Sequence, residues 1–108
     1  MERGEVWWAD LPEPWGHRPV VLVARDDAYA ILTWVAVAPI TTRLRRLPTA
    51  VPPDPDVDGV PDRSIVLLDH IQIIRREWLT GLITRLRHEK VQHIDLAIHF
   101  ALGLENCR

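Results

Sequence analysis

Cysteine and long apolar runs are scarce in this chain of 108 residues. Its single cysteine, Cys107, lies beside the C-terminus, so it forms no internal disulfide and, alone, no thiolate metal site. The longest apolar segments, 20–24 and 35–40, are far shorter than the about 20 residues of a membrane-spanning helix. The polar start MERG also lacks the apolar region of a signal peptide. We therefore expect a cytoplasmic protein that does not contact membranes.

The length leaves no room for a second domain. With 47% hydrophobic residues, residues 1–108 are expected to form one domain. A domain of this size buries roughly 65% of the surface that its unfolded chain exposes. Internal repeats and low-complexity tracts are absent from the sequence.

Net charge is also small, −2 at neutral pH, which argues against a protein that coats nucleic acid with its whole surface. Four aspartates lie in the proline-rich stretch 52–62, so the rest of the chain is positive on balance. Arg43, Arg45 and Arg46 form a short basic cluster. The cluster predicts a local basic rim, although three solvated loop arginines would look the same.

Most of the chain has the pattern of β-strands and not of helices. The stretch 52–61 contains four prolines and predicts a long solvated surface loop. A short helical turn is expected at 75–79, and a strand at 82–86 after a break at Gly81. Segments rich in Val, Ile and Trp predict further strands at 6–9, 19–23, 31–38, 64–68 and 70–74.

Only the last segment has helical spacing. From Glu89 to a stop near Gly103, apolar residues recur three and four positions apart, which predicts one amphipathic helix. The chain is therefore mainly β with a C-terminal helix. Five to seven strands with one helix suggest a small, strongly bent antiparallel sheet or a partly open barrel that the helix caps.

The tryptophans divide between the predicted sheet and a loop. Trp7 and Trp8 are adjacent in a strand and therefore point to opposite faces, so at least one should lie in the core and the other at an interface or exposed, whereas the default for a strand tryptophan such as Trp34 is the core. Trp15 lies in a loop, where it either stacks on a base or packs the loop onto the sheet. The spacing of the histidines in 88–99 puts no ligand pair on one helix face, so we expect no metal site.

Five segments in series carry a resemblance to a known family. They are RGEVW at 3–7, EPWGHRPVV at 13–21, PITT at 39–42, VLLD at 66–69 and ALGL at 101–104. In this order they resemble the MazF/PemK family of toxin endoribonucleases over nearly the whole chain. The resemblance implies a small SH3-like (CcdB-like) barrel with a C-terminal helix and a homodimer. It also implies cleavage of single-stranded mRNA without metal or other cofactor, and neutralisation by a cognate antitoxin.

The resemblance places the catalytic arginine of the family at Arg18 and its catalytic threonine at Thr41. In RNA the 2′-OH can attack the adjacent phosphodiester, giving a 2′,3′-cyclic phosphate and a 5′-OH, so the protein has to stabilise negative charge and move protons. Arginine supplies a planar fork of donors that matches phosphate oxygens, and a threonine hydroxyl adds a directional hydrogen bond. Pro19 favours an extended backbone at Arg18.

Glu13 and His17 complete the expected catalytic set. A histidine can act as general acid or base, and a carboxylate can orient an arginine or accept a proton. Each residue also has a plainer interpretation, which is an RNA contact or structural role for His17 and a loop-ordering ion pair with Arg18 for Glu13. The expected RNA-binding residues are Trp15, Thr42, Arg43, Arg45, Arg46, His70 and Gln72.

Two departures from the family pattern affect the expected RNA groove. The link before Glu13 is several residues shorter than usual, and DHIQ at 69–72 stands where relatives often carry DQIR. The resemblance therefore implies the reaction but does not define the RNA sequence that is cleaved. Two other functions remain open: a non-catalytic toxin of the same fold that binds a protein such as DNA gyrase, and a plain SH3-like interaction module. The pair Arg18 and Thr41 favours the ribonuclease, because a binding protein does not need it.

Overall fold

The computed structural model describes residues 1–43, 46–60 and 63–104. Arg45 and Cys107 lie outside these ranges. Within them the helices are α1 (Ala28–Ile31), α2 (Pro55–Asp58) and α3 (His88–Ala101), with 3₁₀ turns at Leu68–His70 and Arg76–Trp78. The strands are β1 (Glu5–Asp10), β2 (His17–Leu22), β3 (Trp34–Thr41), β4 (Ala50–Val51), β5 (Ile65–Leu67), β6 (Gln72–Arg75) and β7 (Leu79–Arg85).

The strands form one antiparallel sheet in the order β4-β5-β3-β2-β1-β7. One edge of β3 pairs with β2, and the other edge pairs with β6 along its first half and with β5 at its end. Along this path β4 and β7 are the two ends, so the described strands form an open sheet. The prediction of a mainly β chain with a C-terminal helix is confirmed, and the sheet is open, not closed into a barrel.

Both faces of the central strands are buried, which explains their unbroken apolar sequence. Val21 belongs to a cluster on one face, where Ile94 and Ala97 of α3 cover the sheet. Its neighbours Val20 and Leu22 belong to the cluster on the other face, since successive side chains of a strand alternate. The predicted capping of the sheet by the C-terminal helix is confirmed.

Three local predictions are wrong. The strand expected from Ile31 begins only at Trp34. Ile31 is instead the last residue of the short helix α1, in which its backbone N–H bonds to the carbonyl of Asp27. Gly81 lies inside β7 and does not break it, since an extended backbone suits any residue. Trp34 is 51% exposed instead of belonging to the core.

The proline-rich stretch is not merely a solvated loop. It contains α2, and Asp58 at the end of that helix is only 1% exposed. The Asp58 carboxylate accepts hydrogen bonds from the backbone N–H of Asp54 (2.7 Å) and from Nε of Arg87 (3.0 Å). Gly59 follows in the left-handed region, φ +74°, with Thr84 so close that a Cβ would lie 2.7 Å from its hydroxyl. The segment is therefore anchored to the start of α3.

Burial and hydrogen bonding act in opposite directions on the Asp58 carboxyl. Burial alone raises its pKa, whereas the hydrogen bonds from Arg87 and from the backbone N–H of Asp54 lower it. The net pKa of Asp58 lies below its ordinary value. Asp58 is therefore a buried anion that holds Arg87 in place.

Among the described residues, none of the helices has the length and apolar character that a membrane span requires.

Candidate active site

A cleft of about 330 Å³ opens where β2 begins and β3 ends. Val20 of β2 pairs with Pro39 of β3; Arg18 lies two residues before Val20 and Thr41 two residues after Pro39, so both side chains project from the same face of the sheet as that pair. Since both residues follow from one strand register, the backbone fixes their separation. The lining residues are Pro14, Trp15, Arg18, Thr41, Arg43, Leu67 and His70.

Among the described residues, Trp15 and not a carboxylate holds the Arg18 side chain. Its Nε donates a hydrogen bond to the Trp15 carbonyl at 2.7 Å, and its guanidinium carbon lies 4.9 Å from the centroid of the Trp15 ring. No ion pair joins Arg18 to Glu13 or to any other described residue, and its Nη groups make no hydrogen bond within the described ranges. The positive charge and the Nη donors are therefore directed to whatever enters the cleft.

The loop between β1 and β2 shapes one wall of the cleft. The N–H of Leu11 donates to the Gly16 carbonyl and that of Trp15 to the Pro12 carbonyl, each at 3.0 Å, so the turn is tight. Gly16 takes a φ of +64°, which glycine adopts without a steric penalty. The half-buried Trp15 ring packs against the core cluster that includes Val20 and lies 5.5 Å from the His70 ring. Packing of the loop onto the sheet therefore buries part of the Trp15 ring.

Thr41 and His70 supply the other polar groups of the cleft. The Oγ1 of Thr41 accepts a hydrogen bond from the N–H of Arg43 at 3.2 Å, which leaves its own O–H free to donate. His70 ends the 3₁₀ turn after β5 and is exposed. The preceding Asp69 accepts a hydrogen bond from the buried hydroxyl of Thr49 at 2.5 Å, which fixes this turn.

His17 and Glu13 do not line this cleft. The Nδ1 of His17 lies 2.6 Å from Oδ1 of Asp10, and its ring stacks on Trp8 with centroids 4.9 Å apart. Because side chains alternate along β2, His17 and Arg18 point to opposite faces. Glu13 is exposed on the loop. Of the four expected catalytic residues, the structure brings two, Arg18 and Thr41, into one cleft.

The expected RNA-binding residues are divided among several places. Trp15, Arg43 and His70 line the cleft with Arg18. Thr42 is exposed just after β3, and Arg46 lies in a separate cleft. Gln72 pairs with β3 in the sheet, and its Nε2 is buried with no hydrogen-bond partner among the described residues. Sequence reasoning missed two lining residues, Pro14 and Leu67, which carry no chemical signal of their own.

Comparisons with known proteins show which family this chain resembles. The model of a family described as PemK-like, MazF-like toxin of type II toxin–antitoxin system matches residues 2–102. The probable endoribonuclease MazF5 of Mycobacterium tuberculosis is 38% identical over 100 residues, which cover 93% of this chain and 91% of that protein. The endoribonuclease EndoA of Bacillus subtilis is 33% identical over 111 residues, 96% of each chain.

Solved structures show the same fold. An endoribonuclease from a mycobacterial species, in complex with its cognate antitoxin, has a TM-score of 0.84 at 26% identity over 96% of both chains. The Mycobacterium tuberculosis toxin MazF-mt6 has a TM-score of 0.82 at 33% identity, over 92% of this chain and 96% of that one. The chain therefore belongs to the family of PemK-like, MazF-like toxins of type II toxin–antitoxin systems.

Proposed function

We propose that this endoribonuclease toxin cleaves single-stranded mRNA in the cleft between Arg18 and Thr41, without a metal ion, by attack of the RNA's own 2′-OH. The observation that carries the proposal is that Arg18 and Thr41 share one small cleft while the Nη donors of Arg18 are unused by the described residues. Curated relatives with this fold are named endoribonucleases, which supports the same reaction class.

The reaction needs a donor fork at the phosphate. The 2′-oxygen forms a bond to phosphorus, the bond from phosphorus to the 5′-oxygen breaks, and the products are a 2′,3′-cyclic phosphate and a 5′-OH. Negative charge grows on the two non-bridging oxygens as the new bond forms, and the Nη donors of Arg18 are the groups that would stabilise it. The Thr41 hydroxyl would donate a second hydrogen bond and orient the phosphate.

Two protons have to move in this reaction. We assign removal of the 2′-OH proton to His70, because it is the imidazole that lines the cleft with Arg18 and Thr41. The leaving 5′-oxygen takes up a proton from solvent. The acid or base roles of His17 and Glu13 stay predictions, since the His17 side chain lies on the opposite face of β2 and the Glu13 side chain lies on the loop.

The proposal includes a homodimer, a cognate antitoxin and a cytoplasmic site of action. Exposed apolar side chains occur on α3, where Leu96 is 70% and Phe100 56% exposed, and on the sheet, where Ile73 is 63% exposed. Such patches are typical of protein contacts. One matched structure contains a cognate antitoxin, which supports a partner of that kind here. The mRNA substrate is present in the cytoplasm.

The test is to incubate the purified protein with a long single-stranded RNA in excess EDTA and to map the new ends. Short fragments with 5′-OH and 2′,3′-cyclic phosphate ends at a recurring sequence are expected. Intact RNA, or products with 5′-phosphate ends, would contradict the proposed reaction. A double-stranded RNA of the same sequence is the matched control and should remain intact.

A further inference from the structure

A second, larger cleft of about 600 Å³ lies beside the start of α3. Its lining includes four cationic side chains, those of Arg46, Arg63, Arg87 and Lys90. Two carboxylates oppose them: Asp54 in the wall, and Asp58, which holds Arg87 through its Nε at 3.0 Å. Among the described residues of this cleft, cations therefore outnumber acids, although the whole chain carries −2.

Two further features of this cleft favour an anion. Ser64 lines it and is only 6% exposed, yet its hydroxyl has no hydrogen-bond partner among the described residues. A buried hydroxyl is normally paired, and rotation of this short side chain toward an acceptor in the cleft would pair it. In addition, the backbone N–H of Arg87 at the start of α3 donates to Oδ1 of Asp58 at 3.2 Å, so this helix N-terminus already holds one carboxylate, as its amides and dipole favour.

This cleft and the Arg18 cleft share two structural elements. Ile65 lines the larger cleft and Leu67 the smaller one, and residues two apart in β5 lie on the same face of the strand. The segment after β3 likewise contributes Arg43 to the smaller cleft and Arg46 to the larger one. An extended polyanion that leaves one cleft along β5 therefore reaches the other.

We propose that the cleft at Ser64 and Lys90 binds a backbone phosphate of the same RNA strand, on one side of the cleaved linkage. This inference rests on the proposed function. A polyanionic strand fits better than an isolated anion, because each cleft has a cation from the segment after β3, Arg43 in the smaller cleft and Arg46 in the larger one. Contacts of this kind strengthen binding without reading bases, so they lengthen the bound RNA rather than define the cleaved sequence.

The experiment measures binding to RNA that cannot be cleaved because the nucleotide before the cut is 2′-deoxy. A short RNA centred on the cut is compared with RNAs extended at the 5′ end or at the 3′ end. The test variant is Arg63→Gln with Lys90→Gln, both at the larger cleft. The matched control is Arg25→Gln with Arg75→Gln, which removes the same charge from surface pairs with Asp27 and Glu77.

For the unmodified protein, extension at one end is expected to raise the affinity and to steepen its dependence on salt. The test variant should lose this gain, and its slope of log affinity against log salt should fall by about 0.7 for each phosphate contact removed. The control pair should keep the gain. Ser64→Ala should reduce the gain without lowering the melting temperature, because its hydroxyl bonds to no described residue.

Equal behaviour of the test variant and the control would overturn the proposal. So would a test variant that keeps the RNA gain but loses affinity for a polyglutamate peptide, since the cleft would then bind carboxylates. Cleavage of the short all-ribose RNA by the unmodified protein tests the proposed function separately. A protein that cleaves this RNA but gains nothing from extension refutes the second phosphate site alone.

Discussion

Arg18 donates from Nε to the Trp15 carbonyl at 2.7 Å, and its guanidinium lies against the Trp15 ring. One residue thus provides both the acceptor and the surface that orient the arginine. A carboxylate partner would orient it too, but it would also neutralise the charge that the reaction needs. Preorganised donors that need no rearrangement during the reaction contribute most to stabilising a transition state.

Arg18→Ala is expected to lower the cleavage rate by about 10² to 10³, the usual loss for one preorganised donor. The fold should persist, because Arg18 makes no ion pair with a described residue. Arg18→Lys keeps the charge but not the planar fork, so it should restore only part of the rate. The measurement is single-turnover cleavage beside thermal melting, with the exposed Arg25→Ala as control. An unchanged rate for Arg18→Ala would remove Arg18 from the mechanism.

Thr41→Ala should slow cleavage more than Thr42→Ala. Thr41 lines the cleft opposite Arg18, whereas Thr42 is exposed beyond the strand. Thr41→Ser retains the hydroxyl and should recover most of the rate, whereas Thr41→Val should not. Cleavage assays on the four variants decide this. If Thr42→Ala were the slower enzyme, the assignment of the catalytic threonine would be off by one residue.

His70→Gln is expected to reduce the rate constant for cleavage by about 10² or more, the usual contribution of a general base. His17→Gln should have a smaller effect, since His17 stacks on Trp8 and pairs with Asp10 outside the cleft. A pH profile of the rate provides the distinguishing readout, because loss of a base removes the dependence on its ionisation. A larger loss in His17→Gln, with its own change in the pH profile, would return the acid–base role to His17.

The strands were predictable because β-branched residues bounded by Asp, Pro and Gly define them locally. The register that sets Arg18 across from Thr41 was not. β2 and β3 are buried on both faces, so their apolar runs show no alternation that would fix one register over another. The family resemblance identifies Arg18 and Thr41 as the candidate residues, whereas the pairing of Val20 with Pro39 explains why both line one cleft.

The role of Asp58 could not be predicted from the sequence, for a different reason. Its stretch has the composition of a solvated loop, and its partner Arg87 is 29 residues away. Contacts over such a separation leave no local pattern. The absence of Glu13 and His17 from the cleft has a local origin, because Glu13 is exposed on the loop and His17 lies on the face of β2 opposite Arg18. Neighbouring positions in a motif therefore need not share one site.

Asp58→Asn is expected to destabilise the fold by about 1 to 3 kcal/mol at neutral pH, the range for losing hydrogen bonds to a charged group. The lowered pKa of Asp58 gives the sign of the pH effect. Stability from this carboxylate is complete above the ordinary pKa of 3.8 and is lost as the pH falls through the lower value of the folded state.

Urea unfolding from neutral pH down to about pH 2 tests the Asp58 linkage. The midpoint of the unmodified protein should fall at the acid end, and Asp58→Asn should show a smaller fall from a lower start. Asp27→Asn, which breaks an exposed pair with Arg25, is the control and should change little. Parallel acid curves for the unmodified protein and Asp58→Asn would show that this group does not carry the linkage.

Cleavage should not depend on a divalent metal ion but should depend on the ribose 2′-OH. The described residues that line the cleft include two arginines, a threonine and one imidazole but no carboxylate, whereas two-metal nucleases hold their ions with converging carboxylates. The attacking oxygen is therefore expected to come from the RNA. Cleavage should continue in excess EDTA. It should stop when the nucleotide on the 5′ side of the cut is 2′-deoxy, and it should proceed when only the nucleotide on the 3′ side of the cut is 2′-deoxy. An enzyme that EDTA inactivates and magnesium restores would contradict this mechanism.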